Sequence, residues 1–170
     1  MADLLAIAAS NGENLRLAER FAARARERNV QAEVLDLTAV PLPLFSPRVQ
    51  DSPPEALPAL AEQLAASPRW VICAPEYNGS IPPVLTSAIA WLSVQTPDFR
   101  ALFNGRPIVI ATHSGGGGHT VLAALRLQLA HLGAHVVGRQ LVSNGANPAK
   151  ESSIDDLIER LLRLPPPPAA

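Results

Sequence analysis

The chain has 170 residues, 48% of them hydrophobic and 17% charged, with 14 Lys+Arg against 15 Asp+Glu. Such a length and apolar content exclude a disordered chain and suit one domain with a sizeable core. A net charge of −1 gives no field for nucleic acid or an anionic membrane, and a single Cys excludes an internal disulfide or a multi-thiolate metal site.

In chain order, short apolar runs alternate with amphipathic stretches. Residues 4–9 are a near-continuous apolar run, as in a strand buried on both faces. Residues 15–28 predict a helix with Leu15, Ala18, Phe21, Ala22 and Ala25 on one stripe; its end, Arg24 to Arg28, reads as a solvated cationic terminus. A strand at 34–37 and a proline-rich loop at 41–54 follow, then a helix with Pro58 near its start, ending near Ala66. Next come a strand at 70–74, a helix at 84–92 and a strand at 107–112, where Pro107 holds the first position and its missing N–H is harmless. A helix at 120–132 carries Leu122, Leu125, Leu129 and Leu132, and a strand at 135–137 extends toward 141–142. Ile154, Leu157, Ile158, Leu161 and Leu162 mark a last helix with Ser152 as its N-cap. Residues 1–164 are thus expected to form one domain, and residues 165–170 a disordered Pro-rich tail. Met1-Ala2-Asp3 lacks a basic leader segment, and no run reaches the roughly 18 apolar residues of a membrane span, so a cytoplasmic protein is expected.

This rhythm predicts an α/β fold: a three-layer sandwich around a five-stranded parallel sheet, with the flavodoxin-like order 2-1-3-4-5 favoured over a six-strand Rossmann sheet. Ligands of such sheets lie beyond the carboxyl ends of the strands where the order reverses, so the loops after strands 1, 3 and 4 carry the chemistry. The first loop, Ala8 to Asn14, sets small polar residues at a helix N-terminus, which suits a phosphate. Alternatively, Ser10 or Asn11 simply caps the helix. Glu13 puts a like charge near such a phosphate, and Arg16 one turn on offsets it. The third loop, Pro75-Glu76-Tyr77-Asn78-Gly79-Ser80-Ile81-Pro82-Pro83, holds the only Tyr on a rigid turn, which suits a flat heteroaromatic ligand. The fourth, His113-Ser114 followed by Gly115 to Gly118 and His119, is either a close-approach backbone or a flexible tether.

The run from Pro75 to Pro82, continued by Ala88-Ile89-Ala90-Trp91-Leu92, resembles the signature of the NADPH-dependent FMN reductase family, P-E-Y-N-x-S-x-P and A-I-D-W-L, with Ala90 where the acid is usual. The resemblance extends from the first strand to about Asn144, and the first loop is shorter than the family's usual one. It implies that FMN is bound, with Ser10, Asn11, Gly12 and Asn14 about its phosphate. Pro75, Glu76, Tyr77, Asn78 and Gly79 would border the ribityl chain and ring edge, and Ser114 and Gly115 the far side of the ring. It also implies hydride transfer from NADPH, or NADH, to FMN and onward to a small-molecule quinone-, azo- or metal-type acceptor, with no catalytic acid–base side chain. A homodimer or homotetramer is expected too, touching through residues 41–45 and the helix around Trp91, although both segments also read as ordinary packing.

Other residues fit no such chemistry. Cys73 is expected as an inert buried thiol, His131 and His135 as surface or capping groups, and His113 and His119 find no third metal ligand. Three rival functions are an FMN-binding electron carrier, a serine hydrolase acting through Ser114, and a related domain that no longer binds FMN. The carrier conflicts with the near-zero charge, and Thr112-His113-Ser114-Gly115-Gly116 lacks the first glycine of a nucleophile elbow.

Overall fold

A computed structural model describes residues 2–167. Five strands lie in the order β2-β1-β3-β4-β5: β1 (Leu4–Ala8), β2 (Ala32–Asp36), β3 (Trp70–Cys73), β4 (Pro107–His113) and β5 (His135–Val136). A sixth, β6 (Leu141–Ser143), also pairs with β4, and every pairing is parallel. The helices are α1 (Glu13–Arg26), α2 (Leu57–Ala66), α3 (Pro83–Ser93), α4 (His119–His131) and α5 (Glu151–Arg163). The expected sheet order is the observed one.

Alternation along the strands divides the core into two layers. Leu5, Ile7, Trp70, Ile72, Ile108 and Ile110 face α2, α3 and α4. Leu4, Ala6, Val71, Cys73, Val109 and Ala111 face α1 and α5. Because both faces are covered, each central strand reads as an unbroken apolar run rather than an alternating one.

The expected fifth strand is in fact two. From Ile108 to Ala111 β4 advances three residues, while its neighbour advances five, from Val136 to Leu141. Within that surplus Gly138 and Arg139 are exposed, and Arg126 of α4 donates to the carbonyls of Val137 and Gly138. Two helix starts also differ from expectation. Helix α1 begins at Glu13, and α5 closes its first turn on the carbonyl of Lys150, which leaves Ser152 inside the helix rather than capping it. Trp91, expected near a subunit contact, is fully buried: its indole N–H donates to the carbonyl of Pro43, and its ring meets Phe45 edge-on at 5.2 Å. The 41–45 loop is thereby fastened to α3, while Leu44 stays exposed. Of the expected tail, residues 165–167 form no helix or strand, and residues 168–170 lie outside the described residues.

Candidate functional site

The register sets Ala8 of β1 beside Cys73 of β3, and Cys73 beside Ala111 of β4. The loops after these three strands therefore leave the sheet from one edge, where the strand order reverses.

The first loop continues the ladder for one residue, Ala9 N–H donating to the carbonyl of Cys73 at 2.9 Å. Gly12 then holds the cap position of α1, and no side chain accepts from the first-turn amides. Neither Ser10 nor Asn11 caps the helix. Its positive end and unsatisfied N–H groups face an edge with Asn11 and Gly12 exposed and Ser10 half-buried. Arg16 forms an ion pair with Glu13, which answers that residue's charge.

Asn14, expected at the phosphate, also joins two loops. It is buried, its Nδ2 donates to the carbonyl of His113 at 3.0 Å, and its Oδ1 accepts from the His113 N–H at 2.8 Å. This two-way pair ties the start of α1 to the end of β4 and so holds the first and fourth loops together. His113 is braced from its other side. Ser143 donates its hydroxyl to the carbonyl of Thr112 at 3.0 Å, and the His113 ring Nδ1 lies 3.3 Å from Ser143 Oγ.

In the third loop, Asn78 and Gly79 have φ of 51° and 72°, and the flanking Tyr77 and Ser80 exchange N–H···O bonds of 3.1 and 3.0 Å. Two consecutive left-handed residues closing a two-residue hairpin are the geometry of a type I′ turn, which Asn-Gly supports at low cost. The turn lifts Tyr77 to 50% exposure, while Pro75 beneath it is buried. Pro83 opens α3 at its first helical position. Glu76 reaches across to the fourth loop, where its Oε2 accepts from the N–H of Val121 in the first turn of α4 at 3.2 Å. A carboxylate from one loop thus caps the helix that follows another.

The four glycines of the fourth loop are not equivalent. Gly115 and its immediate surroundings are open, whereas Gly118 sits left-handed at φ 69°, where an added Cβ would lie 2.8 Å from Thr112 Cγ2. Ser114 is buried and its N–H donates to the carbonyl of Ser143 at 3.0 Å. Among the described residues no three His, Cys, Asp or Glu side chains are grouped to hold a metal ion. Burial pushes the Cys73 thiol far above its ordinary range, so it stays protonated under the site.

The structure therefore gathers Ser10, Asn11, Gly12, Asn14, Pro75 to Gly79, Ser114 and Gly115 onto one edge, with the Asn14 side chain tying the first and fourth loops together. Sequence reasoning missed Ser143 and the bracing use of His113. The only signal for them was a strand extended through 141–142, whose end falls beside His113. Chemically, the edge offers an uncapped helix N-terminus for an anion and, beside it, an exposed aromatic side chain and side-chain-free backbone for a flat ring.

Comparison with known proteins agrees with this geometry. The family described as NADPH-dependent FMN reductase matches residues 2–148. A quinone reductase of Escherichia coli (strain K12) is 33% identical over 154 residues, which cover 85% of this chain and 78% of that protein. A 2-hydroxy-1,4-benzoquinone reductase of a Burkholderia species is 34% identical over 87 residues, 51% of this chain and 46% of that one. In structure, the flavoenzyme NAD(P)H:(acceptor) oxidoreductase FerB of Paracoccus denitrificans superposes with a TM-score of 0.77 at 18% identity, covering 96% of this chain and 99% of its own, which is a likeness of fold.

Proposed function

The chain belongs to the NADPH-dependent FMN reductase family and is an FMN-dependent oxidoreductase, and from that premise we propose that it carries electrons from NADPH, or NADH, to a small quinone. The observation that carries the site assignment is the uncapped N-terminus of α1. Neighbouring helices compete poorly for a phosphate. The first turn of α4 already holds the Glu76 carboxylate, and α3 opens on Pro82-Pro83, which have no N–H to give. Ser10, Asn11, Gly12 and the first-turn amides of α1 would hold the FMN phosphate, with Asn14 positioning them against β4. Pro75, Glu76, Tyr77, Asn78 and Gly79 would border the ribityl chain and ring edge, and Ser114 and Gly115 the far side of the ring.

When bound, FMN supplies the two-electron chemistry, taking hydride from a nicotinamide and returning it to the acceptor. The protein's own residues orient and enclose. Tyr77 gives an aromatic wall at the mouth, the open backbone at Gly115 leaves room for a second planar ring, and backbone N–H groups at the edge stabilise negative charge. A quinone is planar and needs no cationic pocket, and quinones are named for the relatives above. Residues 1–164 act as one FMN-binding unit, and the protein works in the cytoplasm as a homodimer or homotetramer. Leu44 and Leu127, 75% and 74% exposed, support an apolar contact between copies, and no described helix is long and apolar enough to cross a membrane.

The test is a visible spectrum after loading with FMN and gel filtration. The expected result is a retained flavin band that NADPH bleaches without air and 1,4-benzoquinone restores. A retained band that neither NADPH nor NADH bleaches would make the protein an electron carrier, and loss of the flavin on the column would remove the site assignment.

A further inference from the structure

At the other end of the sheet a cavity of about 720 Å³ opens between α2, the end of α3 and the 95–106 connection. Ala61, Ala65, Leu92, Phe99 and Leu102 supply apolar walls, and Arg106 also lines it. Arg106 immediately precedes β4 and His113 ends it, so one strand length, roughly 20 Å at about 3.3 Å per residue, separates this cavity from the candidate flavin site.

Arg106 is anomalous. It is 5% exposed, yet among the described residues no carboxylate lies within 4.0 Å of it. Its Nε donates to the carbonyl of Leu102 at 2.6 Å and its Nη1 to that of Ser67, and its guanidinium lies 4.4 Å over the ring of Trp70. These partners satisfy hydrogen bonds and, through the C-terminal end of α2, lend a partial negative charge. None supplies a counter-charge, and Nη2 has no acceptor among the described residues. Burial accordingly pushes the guanidinium down to about 10. A buried cation ordinarily has an ionic partner, because desolvation leaves an unpaired charge costly.

We propose that this cavity is a second ligand site, taking a small organic carboxylate with an apolar body whose carboxylate pairs with Arg106. The volume is that of a small-molecule pocket. The apolar walls suit an aromatic or branched body. Glu62 and Asp98, both exposed at the lining, set a like charge against nucleotides and other polyanions and so limit the ligand to a single negative charge.

Calorimetry on the FMN-loaded protein tests this with 1-naphthoate and its neutral isostere 1-naphthamide. The expected result is one saturable site with at least about tenfold preference for the acid, and no change in the flavin band. Arg106→Met keeps an apolar stem against Trp70 and should abolish the preference. Ala65→Trp fills the cavity from an exposed position and should abolish binding of both compounds. Equal binding of acid and amide, an acid preference that survives Arg106→Met, a shifted flavin band, or no saturable binding would each overturn the proposal. If Arg106→Met does not fold, naphthoate binding that persists in Ala65→Trp overturns it.

Discussion

Tyr77 stands half exposed on a turn whose backbone is fixed by its own hydrogen bonds, so its side chain is presented to the edge without serving the core. Replacing it with Ala should weaken FMN binding about tenfold, the scale of one lost aromatic contact, with far-UV circular dichroism and melting temperature unchanged. An unchanged FMN dissociation constant from fluorescence titration would remove Tyr77 from the site. This residue was legible beforehand because Asn-Gly tolerates left-handed backbone and announces the turn locally. Asn14 was not, since its partner His113 lies 99 residues away and a lone Asn beside a helix start reads equally well as a ligand.

At the scale of the element, the start of α4 depends on a position that only glycine fills. Gly118 combines a positive φ with a Cβ site already occupied by Thr112 Cγ2. Gly118→Ala should therefore destabilise the protein by about 1–3 kcal/mol. Gly115→Ala, with nothing within 4 Å of its Cβ site, should cost no more than about 0.5 kcal/mol. Urea denaturation of the two variants checks the contrast, and equal costs would show that the loop is a uniform tether. The run of glycines was plain in the sequence, but which of them packs and which faces open space depends on how β4 and α4 meet.

Across the whole molecule, α1 and α5 cover one face of the sheet and are joined by ion pairs between distant parts of the chain. Arg20 pairs with Glu151, and Arg24 and Arg28 both pair with Asp155. Hydrogen bonds from Arg24, then Arg28, hold the Asp155 carboxyl down to about 2. A carboxyl whose folded pKa lies below its unfolded value of about 3.9 contributes stability above that value, and the contribution is lost as pH falls toward the folded pKa. Asp155→Asn should thus lower the melting temperature at pH 7 by about 1–3 °C, and the deficit should close between about pH 4 and pH 2. Thermal melts across that range check it; a deficit that persists at pH 2 would mean that packing, not ionisation, is responsible.

The sequence by itself determined the parallel sheet, its order and the edge from which the loops after β1, β3 and β4 leave it. Strands buried on both faces leave unbroken apolar runs, helices leave periodic stripes, and parallel crossovers admit few arrangements. It also showed the turn at Asn78-Gly79, because turn chemistry is a local property. Tertiary structure alone decided that the last strand breaks in two, that Glu76 caps α4 from another loop, that Asn14 ties α1 to β4, and that Arg106 is buried with no carboxylate beside it among the described residues. Each of these follows from a partner brought close by packing, Glu76 to Val121 across 45 residues and Arg106 to Ser67 across 39. Neither composition nor periodicity encodes which of many distant polar groups a side chain will meet.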